Sequence, residues 1–281
     1  HIPLFYQQSG AFAPGYLNYR ALKKRVYIYF FEKKLMQKAA CLLALNEAEV
    51  SSYKSLGLKT PSSIVTNGVN IPVIKKSLPA EYNVIGCPAI LPDDFVILFL
   101  ARLHTIKGPD FLLDVFIKLS QKYPKARLII AGPDQHNLTQ ILINRITEVG
   151  IGSRVLIPGM ISGDKKQQLI VRADLFCAPS SAEGFSISVL EAMSNRTPVM
   201  ITPECNFPAV EENSAGWIIE KNMEKWAEKI SWLIENPAEL LARGERAYEL
   251  VKNSYTWEKV VDKLEAVYLE GIKKQLSDRE K

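Results

Sequence analysis

The chain has 281 residues, enough for one large domain or two of modest size. Hydrophobic residues make up 47% and charged residues 23%, which excludes general disorder. The formal charge of +5 is too small to argue for nucleic-acid binding. No apolar run is longer than residues 95–101, which are too few to cross a bilayer. Since the sequence begins with His1 and not methionine, we expect a piece of a longer protein.

The first 75 residues predict only a few elements. These are a basic amphipathic helix at 18–40, strands at 41–45 and 63–66, and a helix at 47–56. Two strands are too few for an independent parallel sheet, so this region is predicted to be the C-terminal part of a larger domain. Residues 71–94 are rich in proline and lack periodicity, which indicates an interdomain linker.

From Phe95 onward, short β-rich runs alternate with amphipathic stretches. The predicted strands are 95–101, 126–131, 154–157, 174–178, 198–201 and 216–219. The predicted helices between them are 109–122, 135–149, 164–171 and 187–194. Several strands are apolar without alternation, as expected when helices cover both faces. The pattern predicts an α/β fold with a doubly wound parallel sheet.

Three consecutive helices are predicted at the end of the chain, at 224–235, 237–251 and 257–274. The last carries apolar residues at helical spacing, so it must pack against another part of the protein. We divide the chain into residues 1–75, a binding domain at 76–255, and a final helix at 256–281 that crosses back to the first region.

The four cysteines, at positions 41, 87, 177 and 205, form no C-x-x-C pair. Three of them lie in or beside apolar segments, which favours small hydrophobes in a reducing, cytosolic setting. The three histidines form no H-E-x-x-H motif, so a zinc site is not expected.

Several common sites are absent from the sequence. There is no G-x-G-x-x-G fingerprint and no Gly-Lys pair of a Walker A loop. Ser186 lies in Gly-Phe-Ser-Ile-Ser, which lacks the second glycine of a hydrolase nucleophile elbow. Any nucleotide must therefore be bound by a different set of residues.

Two candidate constellations remain. Arg102 and Lys107 follow the most strongly predicted strand, at the edge where doubly wound sheets bind ligands. Their two cations could bind one anion together. Glu183 and Glu191 flank the predicted start of a helix, where backbone N–H groups receive phosphate oxygens and the carboxylates suit sugar hydroxyls. The simpler alternative for the first pair is two solvated surface cations. For the second pair it is a favourable charge near a helix N-terminus at Glu183, with Glu191 solvated.

Taken together, these segments resemble a known family. Ala101-Arg102-Leu103 with Lys107-Gly108 resembles "G-R-L…K-G", and Pro179-Ser180 with 183–193 resembles "P-S…E-G-F…L-E-A-M", which contains an E-x7-E motif. Both patterns belong to the donor-binding half of retaining glycosyltransferases of the GT-B fold, family 4 type, also called group 1. In one departure, Asn195-Arg196-Thr197-Pro198 replaces the usual "C-G-x-P".

The resemblance implies a role for each site residue. Arg102 and Lys107 would neutralise the donor diphosphate, helped by N–H groups near Gly184, Phe185, Ser186 and Ile187. Glu183 would contact the donor sugar, and Glu191 would hold the ribose hydroxyls. The chain would retain anomeric configuration and need no metal or other cofactor.

The partners implied are a nucleotide-diphosphate sugar and a glycan or lipid-linked acceptor, with a hexosyltransferase activity in polysaccharide biosynthesis in the cytoplasm. We expect this chain alone to bind donor and transfer no sugar. The alternatives are a non-catalytic nucleotide-sugar-binding module, a GT-B type nucleotide-sugar epimerase or phosphorylase, and, more distantly, a Rossmann oxidoreductase.

The segment at 18–40 also carries a cluster of cations interleaved with aromatic residues. The cations are Arg20, Lys23, Lys24, Arg25, Lys33, Lys34 and Lys38. Such a helix suits the surface of an anionic leaflet, so the sequence allows peripheral contact with the inner membrane face. The alternative is a helix with buried aromatics and a solvated face of lysines.

Overall fold

A computed structural model of the chain describes residues 2–7, 27–72 and 90–277. They form a three-stranded sheet of order β1-β2-β3 and a six-stranded sheet of order β6-β5-β4-β7-β8-β9. We call the described residues 2–7 and 27–72 the N-terminal unit and residues 90–255 the C-terminal unit. None of the helices in these ranges is both long and apolar enough to cross a membrane.

The N-terminal unit is a small parallel sheet with two helices. Its elements are β1 (Phe5–Gln7), α1 (Lys33–Lys38), β2 (Cys41–Ala44), α2 (Glu47–Ser55) and β3 (Ser62–Ile64). The prediction of two strands is wrong, because β1 pairs with β2 in parallel. Of the helix predicted at 18–40, residues 18–26 lie outside the described residues. The described part is a π-helical turn, Ile28–Glu32, followed by α1, which ends at Lys38.

The C-terminal unit carries the large sheet. Its strands are β4 (Phe95–Leu100), β5 (Ala126–Ala131), β6 (Val155–Gly159), β7 (Leu175–Ala178), β8 (Val199–Ile201) and β9 (Gly216–Ile218). Its helices are α3 (Pro109–Ser120), α4 (Leu138–Val149), α5 (Gly163–Arg172), α6 (Ile187–Ser194), α7 (Ala209–Glu212), α8 (Met223–Glu235) and α9 (Pro237–Ser254).

Strand β4 explains why the sheet needs helices on both faces. Val96 and Leu98 point into a core formed with α5, α6 and α9. Ile97 and Phe99 point into a second core formed with α3, α4 and α8. Because successive side chains of a strand face opposite sides, a strand with two apolar faces must be covered twice. The predicted doubly wound parallel sheet is confirmed.

The strand order reverses direction at the centre of this sheet. The chain runs from β4 outward to β5 and β6, then returns to the other side of β4 to form β7, β8 and β9. The loops after β4 and β7 therefore part at a topological switch point, where such sheets form a ligand crevice.

The predicted linker at 71–94 is shorter than the sequence suggested. Ile71 packs against the core of the C-terminal unit, and Ile90 is buried in it. Asp94 forms an ion pair with Arg127 at 3.1 Å. Residues 73–89 lie outside the described residues. Proline and missing periodicity therefore hid residues at both ends that belong to the fold.

The last helix, α10 (Trp257–Ser277), returns to the N-terminal unit. Its residues Val260, Leu264 and Val267 pack against Cys41 and Leu43 of β2. The rings of Tyr268 and Phe5 have centroids 4.5 Å apart. The apolar stripe of the last helix thus covers one face of the small sheet.

Arg196 occupies the position where the family pattern has glycine, and its φ is 62°. Non-glycine residues reach this left-handed region at a cost of roughly 1–2 kcal/mol. The Arg196 guanidinium lies 3.8 Å from the centroid of the Tyr248 ring and 2.9 Å from a Glu245 carboxylate oxygen. These two contacts hold the Arg196 side chain against α9.

The described cysteines are free thiols. Cys41, Cys177 and Cys205 are buried, as predicted for small hydrophobes. Burial raises the pKa of Cys205 to about 11 and raises that of Cys177 further still, which keeps both protonated. Cys87 lies outside the described residues.

Two glycines with nearly equal φ provide a test of the packing between the loops after β4 and β7. Gly108 (φ 74°) and Gly150 (φ 72°) share the left-handed conformation, but a Cβ at Gly108 would collide with the carbonyl oxygen of Pro179, whereas one at Gly150 meets nothing within 4 Å. We expect Gly150→Ala to cost about 1–2 kcal/mol of unfolding free energy. Gly108→Ala should cost about 3 kcal/mol or more, because overpacking adds to the strain. Urea unfolding of both variants checks this, and equal losses would contradict it.

Candidate functional site

The loops after β4 and β7, residues 101–108 and 179–186, lie against each other at the switch point. The N–H of Ser181 donates to the carbonyl of Ile106 at 2.7 Å. Gly108 begins α3 in the left-handed conformation, beside Pro179. This close approach fixes where the side chains of the two loops point.

The contact places Lys107 and Glu183 together. The Lys107 ammonium lies 2.6 Å from a Glu183 carboxylate oxygen, with the side chains only 8% and 13% exposed. At such a site each charge depends on the other, since an unpaired charge removed from water is costly. Sequence analysis predicted both residues for the site but assigned them to separate constellations.

The backbone of Glu183 is also held in place. Its N–H donates to the carbonyl of Glu204 at 3.1 Å, and its carbonyl accepts from the Asn206 side-chain amide at 2.8 Å. Asn206 has a φ of 53°, so it sits in a turn that returns its side chain toward Glu183. The carboxylate therefore projects from a rigid loop.

Arg102 has a different partner from Lys107. Its guanidinium is exposed and donates to the Gln135 side-chain oxygen at 3.4 Å. The two cations thus have separate protein partners, and their convergence on one anion stays a prediction. Arg102 remains at the carboxyl edge of the sheet, beside the loop that follows β5.

His104 lies between the two cations, and sequence analysis did not single it out. Its Nδ1 accepts the N–H of Ile106 at 3.0 Å, and the ring of His136 meets it edge-on with centroids 5.5 Å apart. Burial, and then the neighbours His136, Arg102 and Lys107, hold the pKa of His104 below its ordinary value. The imidazole is thus neutral at pH 7 and carries its proton on Nε2 as a donor.

Helix α6 begins directly after this loop. No side chain caps its N-terminus, and the Ser186 hydroxyl instead lies 3.1 Å from that of Ser188. The N–H groups of the first turn can therefore donate hydrogen bonds to an anion. Phe185 packs with Phe207 and Tyr255, at centroid distances of 4.9 and 5.9 Å. Ile187 is about half exposed at the first position of the helix.

Glu191, inside α6, is paired with a residue that the sequence did not indicate. The Lys166 ammonium on α5 lies 2.6 Å from the Glu191 carboxylate, with the side chains 32% and 21% exposed. Glu191 is therefore a partly buried, ion-paired group and not a solvated charge. No spacing along the chain signals this pair, because α5 and α6 meet only in the folded sheet.

The site combines two kinds of recognition. Arg102, Lys107 and the start of α6 suit phosphate oxygens, and Lys221 stands nearby with its ammonium 2.9 Å from the Ser181 hydroxyl. Glu183 and Glu191 suit the hydroxyls of sugars. Such an edge fits a ligand that joins phosphates to hydroxylated rings.

The chain matches a described protein family and relatives within it. The family described as "Glycosyl transferases group 1" matches residues 88–257. A D-inositol 3-phosphate glycosyltransferase of Mycobacterium avium (strain 104) is 26% identical over 256 residues, which cover 88% of this chain and 59% of that protein. The chain thus spans little more than half of this relative.

Solved structures share the fold. The crystal structure of Anabaena Alr3699/HepE in complex with UDP-glucose has a TM-score of 0.74 at 19% identity, over 98% of this chain and 72% of that one. WaaG, a glycosyltransferase involved in lipopolysaccharide biosynthesis, has a TM-score of 0.70 at 15% identity, over 95% and 75%. Both likenesses show the GT-B fold for the part of the chain that they cover.

The buried ion pair predicts strong coupling between its two members. Lys107→Met should lower the free energy of unfolding by about 3 kcal/mol, because Glu183 is left buried without a counter-charge. The double variant Lys107→Met with Glu183→Gln should recover much of that loss. A double-mutant cycle in urea measures the coupling, with the exposed pair Lys122 and Glu235 as control. Purely additive losses would contradict the prediction.

Proposed function

The chain belongs to the glycosyl transferases group 1 family, and from that premise we propose that its large sheet binds a nucleotide-diphosphate sugar as donor. The full protein would transfer the sugar to a glycan or lipid-linked acceptor. The observation that carries the proposal is the Lys107–Glu183 pair at the switch point of the sheet. In this proposal the cation would bind the diphosphate and the neighbouring carboxylate the sugar.

Lys107 would stabilise the diphosphate leaving group during transfer. An ammonium has three N–H donors, so Lys107 can keep its bond to Glu183 while a second N–H reaches a phosphate oxygen. As the bond from the sugar to the diphosphate breaks, negative charge develops on the diphosphate. Fixed cations at that place lower the barrier, and Arg102 and the N-terminus of α6 would add to the effect.

The two carboxylates would bind different parts of the rest of the donor. Glu183 would accept hydrogen bonds from hydroxyls of the transferred sugar. Glu191, oriented by Lys166, would accept those of the ribose. His104 would present its Nε2–H toward the same edge, since its Nδ1 is already occupied.

Several finer features belong to this proposal. We infer transfer of a hexosyl group with retained anomeric configuration and without a metal, as the motif resemblance implies. The bound UDP-glucose of Alr3699/HepE supports a nucleotide sugar as donor. Because the chain spans 59% of its mycobacterial relative, transfer is proposed for the whole protein, and the chain alone would bind donor without turnover.

We also propose a cytoplasmic location with peripheral contact to an anionic membrane. Tyr27, Phe31 and Leu35 are exposed at helical spacing on and before α1, and the rings of Tyr27 and Phe31 stack at 5.4 Å. Lys34 and Lys38 are exposed on the same helix. An apolar stripe bordered by cations suits a bilayer surface.

Separate roles for the two carboxylates predict separate binding defects. In EDTA, Glu191→Ala should weaken both UDP and UDP-glucose about tenfold or more, since each would lose charged hydrogen bonds to the ribose. Glu183→Ala should spare UDP and weaken UDP-glucose by a similar factor. Calorimetric titration measures both, with the exposed Glu228→Ala on α8 as control. Equal effects of the two site variants on both ligands would contradict the roles, and loss of all wild-type binding in EDTA would contradict the metal-free site.

Membrane contact predicts salt-sensitive binding to vesicles. The chain should sediment with vesicles containing anionic lipid at low salt and remain in solution at high salt, because screening weakens each cation's attraction. Phe31→Ser should reduce the low-salt binding by removing the centre of the apolar stripe. No sedimentation at low salt would end the proposal.

A further inference from the structure

A hydrogen bond joins the N-terminal unit to the loop that carries Glu183. The side-chain amide of Asn46 donates to the carbonyl of Gly184, the residue next to Glu183. Asn46 is only 6% exposed and stands at the start of α2. The contact therefore links the first region of the chain to the loop that we assign to the donor sugar.

The orientation of the Asn46 amide is fixed from its own side. Its Oδ1 accepts the N–H of Glu49 at 2.9 Å and caps α2. The Glu49 carboxylate reaches back to the N–H of Leu45 at 2.7 Å, and Glu49 is fully buried. Because Oδ1 is committed to the cap, Nδ2 is the atom that faces Gly184.

The bond supplements the two bonds within the C-terminal unit that hold Glu183. Glu204 and Asn206 hold the backbone of Glu183 itself. Asn46 holds the following peptide from the opposite side. The loop is thus fixed by groups from both units.

The surroundings of the bond give it particular weight. A cavity of ≈ 440 Å³ lies between the units, lined among others by Asn46, Thr66, Phe185 and Tyr255. A cavity offers few packed neighbours to take over the restraint when a bond is lost. Removing the Asn46 donor should therefore loosen the loop.

We propose that Asn46 is a positioning residue that holds Glu183 in the geometry required by the donor sugar, so that the placement of the N-terminal unit sets the affinity for the sugar. The inference rests on the proposed function, because it takes Glu183 as the group that contacts the sugar. It assigns to the N-terminal unit a part in donor binding that involves no direct contact with the donor.

A conservative substitution separates this role from helix capping. Asn46→Asp keeps an oxygen to cap α2 but has no N–H to donate to Gly184. Asn46→Ser also caps, carries no charge, and is too short to reach Gly184. Asn222→Asp is the matched control, because Asn222 caps α8 by accepting the N–H of Lys225 at 2.9 Å and lies in another loop.

The experiment compares two readouts in the full 281-residue chain. Calorimetry measures affinity for whichever of UDP, GDP and ADP binds tightest and for its glucose conjugate. Amide hydrogen exchange follows residues 183–186 without ligand. In both Asn46 variants we expect unchanged nucleotide affinity, about tenfold weaker binding of the sugar conjugate, and faster exchange in the loop. Asn222→Asp should match the wild type.

The outcomes distinguish the two proposals. Wild-type affinity for the sugar conjugate in both Asn46 variants overturns the positioning role. Should the wild-type chain bind no nucleotide or conjugate, the proposed function fails, and exchange alone decides whether Asn46 restrains the loop. Unchanged exchange at 183–186 then overturns the inference, and faster exchange supports it. A loss confined to Asn46→Asp would assign the effect to the added charge and also overturn it.

Discussion

The Lys107–Glu183 ion pair is the constraint around which the site is built. Two nearly buried opposite charges must stay together, because separating them leaves each without water or partner. The loops after β4 and β7 are therefore held at one spacing. Gly108 makes the close approach feasible, and the bond from Ser181 to Ile106 fastens it. Only a sheet in which β4 and β7 are neighbours brings these residues together.

Glu191 is also ion-paired, with Lys166 of the neighbouring helix. Glu183 and Glu191 are thus each paired with a lysine. Arg102 and the uncapped start of α6 can bind an anion. In the proposed function, a diphosphate would meet the ion-paired Lys107, and hydroxyls would meet carboxylates held by counter-charges. Such preorganisation lowers the cost of binding and favours stabilisation of a developing negative charge.

Much of the fold could be predicted from local sequence. The unbroken apolar run of β4 required two covered faces, and alternation of strands and helices then required a parallel sheet. The motif residues Arg102, Lys107, Glu183 and Glu191 also lie at the predicted edge. Strand β1 was missed because three residues carry too little pattern, and Ile90 because proline-rich surroundings concealed a core residue.

Side-chain partners were harder to predict than positions. Lys166 and Asn46 carry no motif, and their contacts with Glu191 and Gly184 depend on how helices and units meet in three dimensions. Even a capping pattern such as that of Asn46 and Glu49 specifies only where a helix begins. Which atom remained free to reach Gly184 followed from the folded structure alone.

A crystal structure of the chain with UDP-glucose bound tests the central claim most directly. The account predicts a diphosphate oxygen within hydrogen-bonding distance of Lys107 Nζ, a sugar hydroxyl on Glu183, the ribose on Glu191, and the Lys107–Glu183 pair still in place. A nucleotide sugar bound elsewhere on the chain, or at this edge with its diphosphate away from Lys107, would contradict it.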